Sequence, residues 1–177
     1  MLAVSAALCG DHSAIHLAIR GTEMPADRLV NELTLLLAQE GDRYRRAKAV
    51  AEAIRASGPY RWTGIYDVDL RNGIVSNIAW SGAGAPAHPT FPITSGLTSR
   101  AIVTKKAVNV GDVTTDPDYL TALASTRSEI IIPVLDDVGN CVLGTIDIES
   151  DRTDAFDSAT QERLEACANA LRAFWIR

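Results

Sequence analysis

Residues 128 to 150 constrain the fold most, because they combine a hydrophobic hairpin with three acidic residues inside its strands. The segment reads SEIIIPVLDDVGNCVLGTIDIES, and its turn is expected at DDVGN. The acids are Glu129, Asp147 and Glu149, and none of them lies in the turn. A hairpin of this kind predicts a sheet with one apolar face and one face that carries carboxylates.

Side chains alternate between the two faces of a strand, so the second half of the hairpin divides into two sets. Asp147 and Glu149 share one face with Cys141. We expect Leu135 to pair with Cys141. This register places Glu129 opposite Asp147, so all three carboxylates share a face unless a bulge intervenes. The other set is apolar and is expected to face the terminal helices: Val142, Gly144, Ile146 and Ile148.

Three like charges on a partly buried face require compensation. Burial of a carboxylate is costly unless a cation, hydrogen-bond donors or water satisfy it. The cluster would suit the ammonium group of an amino acid, or a hard metal ion such as Mg²⁺ or Ca²⁺. The alternative is that the strand ends are hydrated and the acids are simply solvated. The residues alone leave both interpretations open.

The ends of the chain have helical periodicity. Apolar spacing of three and four predicts helix over residues 25 to 57, with a break at Gly41. A closing helix is expected over residues 156 to 175, with Ser158 and Gln161 as a capping box. Between them, strands are expected at YRWTGIYDVDL, IVSNIAW, TFPI and AVNVGDV.

This order of elements predicts an α+β fold. We expect a mostly antiparallel sheet of about five or six strands, with the terminal helices on one face. Loops and a short helix after Gly96 would cover the other face, which is a natural place for a ligand cavity. Residues 25 to 177 are expected to form one domain, and residues 1 to 24 a leader of uncertain role.

Composition argues against several classes of partner. The 177 residues are 47% hydrophobic and 22% charged, as in ordinary soluble domains. A net charge of −5 and the lack of a basic run argue against binding to nucleic acid or a membrane surface. No apolar stretch is long enough to span a bilayer. The cysteines at 9, 141 and 167 form no CxxC motif, which favours a reducing cytoplasm.

The first strand carries two aromatic residues on one face. Trp62 and Tyr66 flank Gly64, and a gap between two rings can admit a ligand. The commoner arrangement is a core aromatic pair without a ligand.

The three histidines and one helix start are further candidates. His12 and His16 have the spacing of half a metal site, but no further ligand lies near them in sequence, so no metal site is assigned. His88 is either a pH-sensitive group at the cavity or an exposed loop residue. The helix start at Gly96 either offers backbone N–H groups to an anion, with help from Thr98, or has no ligand.

The order of these motifs resembles a GAF domain over roughly residues 26 to 176. The resemblance is carried by RWTGIYDVD, FPITSGLTSRAIVTKKAVNVGDVTTDPDY, SEIIIPVLDDVGNCVLGTIDIES and FDSATQERLEACANAL. The W-x-G-x-Y, SEIxxP and GxxDIxS patterns are similar to those of free methionine-(R)-sulfoxide reductases, which are single-domain cytoplasmic GAF enzymes. The resemblance implies a small-molecule ligand and a homodimer formed through residues 26 to 56 and 157 to 175.

The resemblance also implies which residues hold the ligand. In these reductases an aromatic-lined pocket with acidic side chains holds the free amino acid. The matching positions are Trp62, Tyr66, Glu129, Asp147 and Glu149. Glu149 replaces an aspartate that is usual in the family, which keeps the charge but adds one methylene.

The catalytic cysteines of these reductases have no counterpart here. The resemblance aligns their positions with His88, Thr98 and Ala122, and none of these side chains can form the disulfide that completes the cycle. Cys141 is expected about 20 Å along its strand from Asp147, and Cys167 on an apolar helix stripe. A covalent tetrapyrrole, which normally needs a cysteine in these loops, is not expected either.

The sequence therefore predicts a stand-alone GAF domain that acts as a cytoplasmic sensor or regulator, with no catalytic residue, cofactor or metal. It would bind a small polar, amino-acid-like molecule, such as methionine sulfoxide, under the loops of residues 81 to 100 and 114 to 128. The alternatives are a divergent free methionine-(R)-sulfoxide reductase and a dimer module with a vestigial pocket. The candidate ligand-binding residues are Trp62, Tyr66, His88, Thr98, Glu129, Asp147 and Glu149.

Overall fold

The computed structural model describes residues 25–121 and 123–176. The expectations for residues 1–24, which include Cys9, His12 and His16, and for Ala122 lie outside the described residues.

The helices and strands follow the expected order. The bounds are α1 Pro25–Ala38, α2 Arg43–Ala56, β1 Trp62–Asp69, β2 Ile74–Gly82, β3 Thr90–Pro92, α3 Gly96–Thr104, β4 Val108–Val110, β5 Ser128–Leu135, β6 Val142–Ser150 and α4 Ser158–Leu171. Short 3₁₀ turns follow β4 at Val113–Thr115 and α4 at Arg172–Phe174.

The six strands form one antiparallel sheet in the order β3-β2-β1-β6-β5-β4. The predicted α+β fold class is confirmed. On one face, Ile146 and Ile148 are fully buried in a cluster that includes Leu164 and Cys167 of α4, and α1, α2 and the neighbouring strands also contribute residues to it. In the described part of the chain, no helix is long and apolar enough to cross a membrane.

The register of the β5–β6 hairpin differs from the expectation. Leu135 pairs with Val142 rather than Cys141, and a bulge beside Val134 shifts the ladder by one more residue. Glu129 therefore lies opposite Glu149, not Asp147. A one-residue slip would move a side chain to the other face, but two such slips restore it. The three acids share a face for this reason, although the predicted pairing was wrong.

The capping box predicted for the closing helix is also wrong. The helix begins at Ser158, so Asp157 is the N-cap, and its carboxylate accepts a 2.8 Å hydrogen bond from the backbone N–H of Thr160. Gln161 instead donates its side-chain amide to Glu165. Aspartate is as effective an N-cap as serine, so the helix starts one residue earlier than an N-cap at Ser158 would place it.

This cap gives a stability prediction. Asp157→Ala should lower the free energy of unfolding by about 1 kcal/mol, because one N–H group of the first turn loses its acceptor. Ser158→Ala is the matched control and should change stability less. Urea unfolding of both variants measures the difference, and an equal or larger loss in the Ser158 variant would contradict the assignment.

Candidate functional site

Three carboxyl side chains meet on the sheet face that turns away from α1, α2 and α4. Glu129 and Glu149 are directly paired across β5 and β6, and Asp147 lies two residues along the same strand as Glu149. The exposed fractions are 7% for Glu129, 5% for Asp147 and 0% for Glu149. The interpretation that these acids are simply solvated at hydrated strand ends is therefore wrong.

Few hydrogen bonds satisfy this cluster. Thr98 Oγ1 donates to Asp147 Oδ2 at 3.5 Å, and Thr126 Oγ1 donates to Glu149 Oε2. Asp147 Oδ1 and Glu149 Oε1 are buried and have no hydrogen-bond partner among the described residues. Buried polar atoms without a partner are rare in folded proteins, and each costs about 1–3 kcal/mol. An additional hydrogen-bond donor at these two oxygens would therefore stabilise the protein.

Burial shifts the protonation of all three acids. It raises the pKa of Asp147 to about 7, an effect that the nearby hydroxyl groups of Thr145 and Thr98 reduce and the charge of Glu149 increases. Burial likewise raises the pKa of Glu149 to about 7, against the hydrogen bond from Thr126. These two carboxyls are therefore partly protonated near neutral pH.

The pKa of the remaining carboxyl, that of Glu129, is shifted in the same direction. Burial raises the pKa of Glu129 well above its ordinary value, and the charges of Glu149 and Asp147 raise it further. Arg100 opposes the shift. The cluster consequently holds protons where isolated carboxylates would be fully ionised, and a bound cation would displace these protons.

A small cavity opens beside the cluster. Its volume is about 30 Å³, which is room for one or two water molecules. The lining residues come from the expected loops, from α3 and from the two hairpin strands: His88, Phe91, Gly96, Leu97, Thr98, Leu120, Glu129, Ile131 and Asp147. Four of the seven candidate residues from the sequence are in this lining.

Trp62 and Tyr66 lie beside this cavity, outside its lining. Their ring centroids are 6.4 Å apart, and both rings lean over Gly64. A Cβ atom at Gly64 would lie 2.7 Å from Tyr66 Cε2 and even closer to the Trp62 ring. The rings thus fill the gap between them, as in the alternative of a core aromatic pair. Phe91 connects the two regions, because it lines the cavity and packs edge-on against Tyr66.

The loop between the Val113–Thr115 turn and β5 covers the cavity and is called the covering loop below. Two polar contacts hold it in place. Arg100 of α3 forms a 2.6 Å ion pair with Asp116, and Arg61 donates from Nε to Ser125 Oγ at 2.7 Å. Together with the bond from Thr126 to Glu149, they fasten both ends of the loop that contains Leu120.

Sequence reasoning missed several of these residues. Ile131 could have been found, because it follows Glu129 on the same face of the strand. Thr126 and Leu120 lie in a loop whose sequence has no periodicity, so no pattern indicates their direction.

The described cysteines are outside the cavity lining. Cys141 is exposed and immediately precedes β6. Cys167 is fully buried in the core, as expected, and burial raises the pKa of its thiol to about 12. Such a thiol is a poor nucleophile at neutral pH.

Comparisons with known proteins agree on the fold. No family model matches the chain. GAF domain-containing protein A of Dictyostelium discoideum is 25% identical over 143 residues, which cover 78% of this chain and 84% of that protein. The similarity to this protein, together with that to the solved structures below, confirms the resemblance to GAF domains.

Two solved structures illustrate the range of the neighbours. The free methionine-R-sulfoxide reductase of Neisseria meningitidis, determined in complex with its substrate, aligns with a TM-score of 0.75 and 25% identity over 85% of this chain and 88% of that one. A putative GAF sensor protein from Burkholderia vietnamiensis aligns with a TM-score of 0.73 and 22% identity over 85% and 91%. The chain has the GAF fold, which sensors and reductases share.

The raised pKa values predict how stability depends on pH. From about pH 4 upward the folded protein keeps protons that the unfolded chain has released, so the free energy of unfolding falls as pH rises through the pKa of about 7 of Asp147 and Glu149. For Asp147, a pKa raised from 3.8 to about 7 corresponds to on the order of 4 kcal/mol over this window.

Asp147→Asn tests this dependence, because the amide resembles a carboxyl that cannot ionise. Urea unfolding at about pH 5 and about pH 8 should show a smaller difference for this variant than for the wild type. Glu162→Gln, at an exposed position on α4, is the control and should follow the wild type. An unchanged pH difference in Asp147→Asn would show that this carboxyl is not buried in the neutral form.

Proposed function

We propose that this GAF-fold chain binds the ammonium group of a small, amino-acid-like molecule at Glu129, Asp147 and Glu149, and acts as a sensor or regulator without catalysis. The observation that carries the proposal is the pair of buried carboxylate oxygens without a hydrogen-bond partner, on Asp147 and Glu149. A cytoplasmic location and a homodimer formed through α1, α2 and α4 belong to the same proposal.

An ammonium group matches the chemistry of the cluster. It has three hydrogen-bond donors and one positive charge. The cluster offers the complement, with unsatisfied acceptors and up to three negative charges. A nearby cation favours the ionised form of a carboxyl, so it lowers the raised pKa values of Asp147 and Glu149. Binding should therefore release protons, and affinity should increase as pH rises through 7.

The closed cavity of about 30 Å³ holds only water, but its walls suit a short apolar side chain once the loop that covers it opens. Leu97, Leu120, Ile131 and Phe91 provide apolar walls next to the carboxyl groups. A methionine-like chain has this combination of a charged end and an apolar body. Methionine sulfoxide is the first probe to use, because the Neisseria meningitidis reductase, whose structure contains its substrate, aligns over most of this chain.

The second candidate is a divergent free methionine-(R)-sulfoxide reductase, which the similarity to that enzyme favours. The geometry gives it less support. Its chemistry would need a thiolate at the pocket, and the two described cysteines are an exposed residue before β6 and a buried residue in the core. A dimer module with a vestigial pocket is the third possibility, and it predicts no ligand.

Binding can be tested by a thermal-shift titration with free L-methionine-(R)-sulfoxide. We expect a saturable rise in the melting temperature, since a ligand at 100 times its Kd stabilises the fold by about 2.7 kcal/mol. The shift should be larger at about pH 8 than at about pH 6. The N-acetyl derivative, which lacks the ammonium group, is the matched ligand control and should cause no shift.

Variants locate the binding site. Asp147→Asn and Glu129→Gln should each weaken binding roughly tenfold or more, because each removes one negative charge from the cluster. Glu162→Gln should bind like the wild type. Equal affinity in all three variants, or equal binding of the N-acetyl derivative, would refute the assignment of the ammonium site.

A turnover assay separates the sensor from the reductase. With dithiothreitol as reductant, we expect the protein to bind methionine sulfoxide without producing free methionine, because no described cysteine lies at the pocket. Amino-acid analysis of the reaction measures the product. Methionine formation that is lost in Cys9→Ser or Cys141→Ser would instead establish the reductase.

A further inference from the structure

A second cavity lies at the end of the sheet where β1 begins and β2 ends. It is a shallow cavity, open to solvent, with a volume of about 410 Å³. The two cavities have no lining residue in common. Arg55, from the last turn of α2, and Arg61, just before β1, both line the larger one.

The lining of this second cavity is positively charged. It carries two guanidinium groups and one carboxylate, that of Asp151, so its net charge is +1. The whole chain has a net charge of −5. A positive cavity on an acidic protein attracts anions to one place on its surface.

Each arginine is held through its own Nε, and its terminal nitrogens remain available as donors. Arg55 Nε donates to Ser81 Oγ at 2.8 Å, and Arg61 Nε donates to Ser125 Oγ at 2.7 Å. Arg61 Nη1 is 3.8 Å from Asp151, which is too long for a hydrogen bond. Apart from this contact, the terminal nitrogens of both side chains have no polar partner within residues 25–121 and 123–176.

This arrangement reduces the cost of binding an anion. A guanidinium group whose Nε is already hydrogen-bonded loses less rotamer freedom when its terminal nitrogens meet a ligand. Two such groups, one from the last turn of α2 and one from the residue before β1, present several N–H donors to one cavity. A tetrahedral dianion with three acceptor oxygens can use donors from both, whereas one carboxylate is satisfied by a single arginine.

We propose that Arg55 and Arg61 form a binding site for the phosphate group of a small phosphate monoester, separate from the carboxyl cluster. The cavity volume leaves room for the organic part of such a molecule beside the phosphate. The lining residues of the two cavities differ, but the charge of Arg61 also acts on Glu149 and opposes the rise in the pKa of that carboxyl. Arg55 and Ala83 have no such role at the carboxyl cluster, so variants at these two positions test the phosphate site by itself.

The test is a phosphate titration followed by ¹H–¹⁵N NMR at constant ionic strength. We expect saturable shifts of the backbone amides of Arg55, Arg61 and Ala83 with inorganic phosphate, and tighter binding of glycerol 3-phosphate at the same amides. Equal shifts with sodium chloride alone would overturn the site. Binding of inorganic phosphate with no gain from the ester would overturn the assignment to a monoester.

Variants distinguish the site from a general effect of charge. Arg55→Gln and Ala83→Glu should each weaken phosphate binding roughly tenfold or more. Ala83→Glu adds a negative charge at an exposed position of the lining and keeps both arginines, so its effect is not a consequence of lost packing. Arg71→Gln, in the exposed turn after β1, is the control. Unchanged affinity in Ala83→Glu would overturn the proposal.

Discussion

The pairing of β5 with β6 determines the chemistry of this protein, because it forces the side chains of Glu129 and Glu149 to lie next to each other in a buried position. The opposite face of the same hairpin carries Ile146 and Ile148, which pack in the main core against the helices. A strand cannot bury one face in the core without fixing the direction of the other. The cost of burying the acids is therefore offset by the apolar contacts of the same strands, and the acids cannot turn away from one another.

The sequence predicted the features that depend on periodicity. The order of elements, the α+β architecture and the shared face of the three acids all follow from residue spacing, and the last survived a wrong register because a shift of two residues preserves the face. Features that depend on local three-dimensional detail were not predictable. The bulge beside Val134, the hydroxyl of Thr126 on Glu149 and the lean of the Trp62 ring over Gly64 have no signature in a one-dimensional pattern.

The fold by itself does not decide the function. Sensors and reductases share this architecture, so the difference must lie in a few side chains at the cavity. At two positions that the resemblance aligns with reductase cysteines, this chain has His88 and Thr98, and both line the cavity. Thr98 donates a hydrogen bond to Asp147. A position that could carry a nucleophile here orients a carboxyl group instead, and its hydrogen bond favours the ionised form of that carboxyl.

The small cavity also has a kinetic consequence. A volume of about 30 Å³ cannot hold an amino acid, and the Arg100–Asp116 ion pair and the Arg61–Ser125 hydrogen bond hold the covering loop closed. Under the proposed function, a ligand of that size would have to wait until these contacts break, so its association rate would be limited by how often the loop opens rather than by diffusion. The same contacts slow escape once they re-form. Occupancy would then follow the average ligand concentration over time and be insensitive to brief fluctuations.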